Sequence, residues 1–153
     1  MKVDAMATAH AIRFATEDDA VELTRLFTDL GHPTTAADII DRWKSWSDMG
    51  NQALVVANAE GGLAGVVTLH EMLVLHRPKP VGRITALVVD ASVRGKGIGR
   101  ALVAAAESVL KRSGCGLLEI TSNVRLDNAH SFYAHLGYEQ TSFRFAKVLE
   151  SVA

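Results

Sequence analysis

This chain of 153 residues contains a single cysteine, Cys115, so no disulfide can form within it. An unpaired cysteine suits a reducing compartment, and a cytoplasmic location is expected. No run of about 18 apolar residues exists, so no membrane-spanning helix is expected. Charge of neither sign dominates, with 16 Lys and Arg against 17 Asp and Glu. There is no basic surplus to hold nucleic acid or an anionic membrane, and neither is expected as a partner. Repeats and low-complexity segments are missing. Residues 1–10 lack the long apolar region of a secretory signal and read as a loose leader. Residues 11–153 read as one domain, long enough to enclose a sizeable core. No histidine and cysteine grouping has zinc-like spacing. His130 and His135 fall on one helix with directions splayed by roughly 140°, and no metal is expected.

The remaining pattern is ordered. Residues 12–15 read as a short strand. Thr16, with Asp19 three positions on, starts a helix. Leu23, Leu26, Phe27 and Leu30 recur along that helix until Gly31 and Pro33 end it. Thr35 caps a second helix carrying Ile39, Ile40, Trp43 and Trp46, with Gly50 near its end. Residues 53–57, 63–75 and 84–90 read as strands, separated by the Glu60-Gly61-Gly62 turn and a stiff His76–Pro80 loop. A helix over 99–113 buries Leu102, Val103, Ala106, Val109 and Leu110. Lys111 and Arg112 sit in its last turn, and Gly114 stops it. A strand follows at 117–123. Asp127 or Asn128 caps a short helix closed by Gly137. Residues 138–141 and 143–149 predict a terminal antiparallel pair. The order makes an α/β fold: a mixed, mostly antiparallel central sheet flanked by helices on both faces.

The most informative stretch is Val89-Asp90-Ala91-Ser92-Val93-Arg94-Gly95-Lys96-Gly97-Ile98-Gly99-Arg100. An apolar strand enters a loop with glycines at alternate positions, and the loop opens a helix. Helix starts carry unpaired N–H groups and the positive end of the macrodipole. Glycines let a phosphate approach that backbone closely. A Walker A loop is excluded because Arg100 and Ala101 follow Gly99. A dinucleotide fingerprint is excluded because the last glycine it needs is out of register.

Arg94, Gly97 and Gly99 do fit the pattern [RQ]-x-x-G-x-[GA]. With it comes a second signature, Asn128-Ala129-His130-Ser131-Phe132-Tyr133-Ala134-His135-Leu136-Gly137-Tyr138. In this order the two resemble the motifs of the Gcn5-related N-acetyltransferases, over roughly residues 11–149. The resemblance implies that family's acyl-CoA N-acyltransferase fold, acetyl-CoA as co-substrate and a small-molecule amine as acceptor. A homodimer is a family habit.

The resemblance also assigns roles. The backbone N–H groups of Gly95, Lys96, Gly97, Ile98, Gly99 and Arg100 would hold the pyrophosphate. Arg94, Lys96 and Arg100 bring positive charge to the same loop. The backbone of Leu87, Val88 and Val89 corresponds to the strand edge that pairs with the pantetheine amides, as a peptide adds to a sheet. Tyr133 matches the tyrosine that protonates the leaving thiolate, and Asn128 matches the residue that bonds the pantetheine arm. Asn123, at a strand end, is a further contact candidate. Direct attack by the amine is the family's usual route, and Cys115 lies outside both signatures.

Where many relatives carry a glutamate base, four residues before Val89, this chain has Thr85, which cannot act as a base at neutral pH. Glu119, His70, Glu71 and ordered water are the alternatives. The acceptor zone of the resembled family contains His32, Trp43, Trp46, the His76–Pro80 loop and Phe143 here. Trp43 reads first as core packing. Three activities are compatible: transfer to a small amine, a coenzyme A-binding regulator without turnover, and a protein N-terminal or lysine acetyltransferase.

Overall fold

The computed structural model describes residues 11–122 and 127–150. Five strands form one sheet in chain order: β1 (Ile12–Phe14), β2 (Asn51–Ala57), β3 (Leu63–Met72), β4 (Val81–Val89) and β5 (Leu117–Ile120). The first four pair antiparallel, and β5 lies parallel to β4. Four helices accompany them: α1 (Ala20–Asp29), α2 (Ala36–Asp48), α3 (Ile98–Arg112) and α4 (Asp127–His135). The sheet is therefore mixed and mostly antiparallel, as the sequence pattern predicts. The described residues up to Ile120 form one compact unit and those from Thr121 onward a second.

Strand alternation sends successive side chains to opposite faces. On one face Val66 and Val88 pack with Leu23 and Leu26 of α1, and with Ala53 and Val55 of β2. On the other face the backbone meets α3. A Cβ at Gly65 would lie 3.0 Å from both Leu102 Cδ1 and the Val88 carbonyl oxygen, and one at Gly82 2.6 Å from Leu110 Cδ1. These two glycines let the apolar stripe of α3 sit down on the strands. Ile98, Ala101, Leu102, Val103, Ala105, Ala106 and Leu110 are buried along that stripe.

Several element ends follow their local chemistry. Asp19 accepts the Thr16 N–H at 2.9 Å and holds Arg13 through two bonds of 2.7 and 2.8 Å. The Arg13 guanidinium draws the Asp19 carboxyl below its ordinary range. Thr35 Oγ1 accepts the Asp38 N–H at 3.1 Å and caps α2.

Other expectations need correction. The first turn before α1 is a 3-10 turn, Glu17–Asp19. Leu30 and Ile40 are exposed, and Val109 is half-buried. β3 stops at Met72, where its pairing with Val81 ends, and leaves Leu73 and Leu75 in solvent. Both Asp127 and Asn128 lie within α4, so neither precedes it as a cap. The terminal pair does not form: Tyr138 to Glu150 contains no strand. Phe143, Phe145, Val148 and Leu149 are 80–93% exposed there, since alternation stabilises a strand only against a ladder partner. Residues 1–10 and Asn123 lie outside the described residues.

The close approach at Gly65 generates a prediction. Gly65→Val forces side-chain atoms into Leu102 and the Val88 carbonyl, and should cost about 1–3 kcal/mol of stability. Denaturant unfolding measures it, and an unchanged midpoint would contradict the packing described.

Candidate active site

β4 carries an irregularity that shapes the site. Thr68 of β3 opposes Ala86, while its neighbour Leu69 opposes Ile84. Thr85 is thus the extra residue of a β-bulge. Its hydroxyl lies 2.7 Å from that of Thr68. β5 pairs with Val81 to Ile84 and no further. From Thr85 to Val89, among the described residues, the β5-side edge of β4 therefore has no strand beside it. Leu87, Val88 and Val89 lie on this stretch, with the Val88 side chain in the core and its backbone at the edge.

The strand runs directly into the glycine loop. Asp90 opens it: Oδ1 accepts the Ser92 N–H at 2.9 Å and the Ser92 hydroxyl at 2.8 Å, and Oδ2 accepts Arg25 Nη1 at 2.6 Å. Ser92's backbone and hydroxyl, then the Arg25 guanidinium, lower the Asp90 carboxyl to about 2. Arg25 also donates to the Leu63 carbonyl at 2.8 Å, so α1, β3 and the loop are tied through one side chain. Arg94 donates from Nε to the Val89 carbonyl at 3.1 Å, which commits part of its guanidinium to holding the loop.

Gly95 and Gly97 adopt φ of +78° and +83°, the left-handed region that other residues enter at a cost. A Cβ on either would meet nothing within 4 Å. The side-chain position of each is therefore open. Gly97 is the N-cap of α3, and the first intrahelical bond is donated by Ala101 to its carbonyl at 3.0 Å. The N–H groups of Ile98, Gly99 and Arg100 precede that bond and lack intrahelical partners. Arg94, Lys96 and Arg100 are exposed around them. The geometry suits an anion, with unbonded helix N–H groups and the positive end of the helix dipole in an exposed, basic loop.

On the opposite side of the same strand a cavity of about 300 Å³ opens between α1, α2 and the sheet. Its walls are Leu23 and Phe27 of α1, Ile39, Trp43 and Trp46 of α2, and Ala53 of β2. Thr68 and Ala86 contribute beside the bulge, and Thr34 and Arg42 complete the lining. α2 has no buried residue, because its apolar side faces this space. Trp43 does pack on the core and also lines the cavity. His32 and the 76–80 loop are not part of the lining.

The candidate bases separate clearly. Glu119 accepts Arg83 Nε at 2.9 Å and also pairs with its Nη2, so its carboxylate is already matched by a cation. Glu71 lies on the opposite face of β3 from Thr68, whereas His70 shares the Thr68 face. Among the described residues, His70 Nδ1 is the one buried side-chain nitrogen or oxygen with no hydrogen-bond partner. Burial pushes the Cys115 thiol up, which makes it a poor nucleophile.

Tyr133 lies in the second unit, on α4. It is half-buried, with its ring edge-on to Phe132 at 5.3 Å and to Tyr138 at 6.1 Å. Burial pushes its phenol up, so it keeps its proton at neutral pH. Asn128 is exposed on the same helix. Gly137, at φ +90°, closes that helix, with Tyr138 N–H on the Tyr133 carbonyl at 3.0 Å.

Three features escaped sequence reasoning: Thr68 as partner of Thr85, Arg83 as partner of Glu119, and the Arg25–Asp90 brace. For the third, the sequence signals only the Asp90-x-Ser92 turn, an Asx-turn pattern at a strand end, and not its partner Arg25. The other two are cross-strand pairs whose register no local pattern reveals.

Comparison with known proteins identifies a family and a fold. Residues 10–138 match the Acetyltransferase (GNAT) family. The chain is 38% identical over 94 residues to the aminoalkylphosphonate N-acetyltransferase of Salmonella typhimurium, a match spanning 61% of each chain. It is 30% identical over 139 residues to the aminoglycoside N(6')-acetyltransferase type 1 of Stenotrophomonas maltophilia, covering 89% of this chain and 90% of that one. Its fold also resembles the crystal structure of a transcriptional regulator from Bacillus halodurans C-125, with a TM-score of 0.83 over 92% of this chain and 99% of that one, at 22% identity. No described helix is long and apolar enough to cross a membrane. With a motif-bearing loop, an unpaired strand edge and the family match all on the same residues, the chain belongs to the Acetyltransferase (GNAT) family of acyltransferases.

Proposed function

We propose that this chain, as a single domain over 11–153, transfers an acetyl group from acetyl-CoA to a primary amine of a small molecule. The amine attacks directly in a ternary complex, in the cytoplasm. The observation that carries the reading is a pair of unpaired backbone stretches joined by one loop. The β5-side edge of β4 from Thr85 to Val89 leads, through a 3-10 turn at Ala91–Val93 and the glycine loop, to the N–H groups at the start of α3 that have no intrahelical partner. One extended ligand with amides along its arm and a diphosphate at its end matches both. The open space beside Gly95 and Gly97 gives the diphosphate room. Both relatives named above are small-molecule N-acetyltransferases.

In this reading the N–H groups from Gly95 to Arg100 hold the diphosphate, with Lys96 and Arg100 adding charge. The edge at Leu87, Val88 and Val89 aligns the arm, and Asn123 and Asn128 contribute contacts to it. When bound, acetyl-CoA supplies an activated acyl carbonyl and a thiol leaving group. A backbone N–H on the β4 edge stabilises charge developing on the carbonyl oxygen. One such donor is worth about 3–4 kcal/mol of barrier. The raised Tyr133 phenol retains the proton that the departing sulfur needs. His70 is the proposed acceptor of the amine's proton, because its buried ring nitrogen is unpartnered on the face that carries Thr68.

A second reading, a coenzyme A-binding regulator without turnover, has Thr85 in its favour, since a hydroxyl bonded to Thr68 supplies no base. Thiol release in the presence of amines separates the two. Any amine-dependent release supports transfer, and tight binding with none across a broad amine set supports the regulator.

Two predictions follow from the assigned roles. Gly97→Glu puts a strained, negatively charged residue in the anion seat and should abolish acetyl-CoA binding in calorimetry. Unchanged affinity would remove the diphosphate from this loop. Tyr133→Phe and His70→Gln should each lower kcat by about 100-fold while acetyl-CoA affinity stays within about twofold. A matching loss of affinity would assign the altered residue to packing instead.

A further inference from the structure

The cavity beside the Thr85 bulge has a chemical character of its own. It holds about 300 Å³, near the lower end of small-molecule sites. We infer that it takes a monoamine with one apolar, ring-sized body, the body lying against Trp43 and Trp46 and the amine directed at the Thr68–Thr85 end. This deepens the acetyltransferase reading and rests on it.

Three observations carry the inference. First, the walls offer apolar contact and little else. Phe27, Ile39, Trp43 and Trp46 face the space, and the two indoles stand 5.1 Å apart at 50°, forming an angled aromatic corner. α2 buries nothing fully, so a ligand filling the cavity would complete the burial of its apolar side. That gain favours an apolar body.

Second, both hydroxyls in the lining already have partners within the protein. Thr68 bonds Thr85 at 2.7 Å, and Thr34 Oγ1 accepts Arg42 Nη2 at 2.9 Å. A polyhydroxylated acceptor would exchange most of its hydration for an apolar wall with few polar partners.

Third, the lining contains no carboxylate. Its one charged residue is Arg42, which repels a polycation. Several ammonium groups would find no counter-charge.

Direction follows from Ala86. It lines the cavity and immediately precedes Leu87, where the acyl donor is proposed to align. The Thr68–Thr85 end is therefore where a nucleophile belongs, and the Trp corner is where its body belongs.

The chain has two tryptophans, and both line the cavity, so intrinsic fluorescence reports occupancy independently of chemistry. The experiment uses the full chain with 2-phenylethylamine, 1-aminoethylphosphonate and kanamycin. It measures thiol release at saturating acetyl-CoA and tryptophan emission without acetyl-CoA. Expected is a saturable emission change with 2-phenylethylamine, and a kcat/KM for it about 100-fold above those for the two polar amines. In Trp46→Ala the KM for 2-phenylethylamine should rise, with kcat changed less; Ile39→Asn, which makes the same wall polar, is the second variant. Turnover of the polar amines with neither emission change nor turnover for 2-phenylethylamine overturns the inference and leaves the transferase reading standing. Saturable emission with no thiol release from any amine supports the cavity's ligand class and contradicts the transferase reading. Turnover of 2-phenylethylamine without any emission change, or no response to it in either assay, overturns the inference.

Discussion

A strand that loses its neighbour partway along must find other partners for its backbone. β4 pairs with β3 along its length, but β5 stays beside it only from Val81 to Ile84. The Thr85 bulge sits at that point of separation and changes the strand's register. The N–H and C=O groups beyond it form an edge inside the sheet's span rather than at its rim. Everything proposed about the site depends on that edge and on the helix start to which it leads.

The surrounding structure holds this arrangement in place. Arg25 links α1 to Asp90 and to the Leu63 carbonyl, so the loop's first residue is fixed from two elements. Arg94 folds back onto Val89. Gly95 and Gly97 adopt the left-handed backbone angles that the turn into α3 takes. On the other face Gly65 and Gly82 allow α3 to approach the strands closely, which sets where the start of α3 lies. Glycine therefore acts in two ways here: two residues shape the loop, and two position the helix that ends it.

Much of this was legible in the sequence because it is local. The Thr35 cap, the stop at Gly114, the strand before Asp90 and the loop glycines each follow from residue chemistry within a few positions. What was hidden depends on partners distant in the chain. Nothing near Thr85 announces that it faces Thr68, and nothing near Glu119 announces Arg83. Those pairs changed the reading of the site, since one accompanies the bulge and the other gives Glu119 a cationic partner. The terminal pair failed for the converse reason. Residues 138–149 alternate like strands, but the described residues give them no ladder. Trp43, read as core, proved to be both core contact and cavity wall, a distinction that helical spacing cannot express.

Backbone amides do the work assigned to this site, so amide hydrogen exchange tests the account most directly. Adding acetyl-CoA should slow exchange in two segments, 85–89 on the unpaired edge and 97–100 at the start of α3, with little change along β2. Slowing confined to other segments, or unchanged exchange in both at saturating ligand, would contradict the claim that these two stretches form one seat.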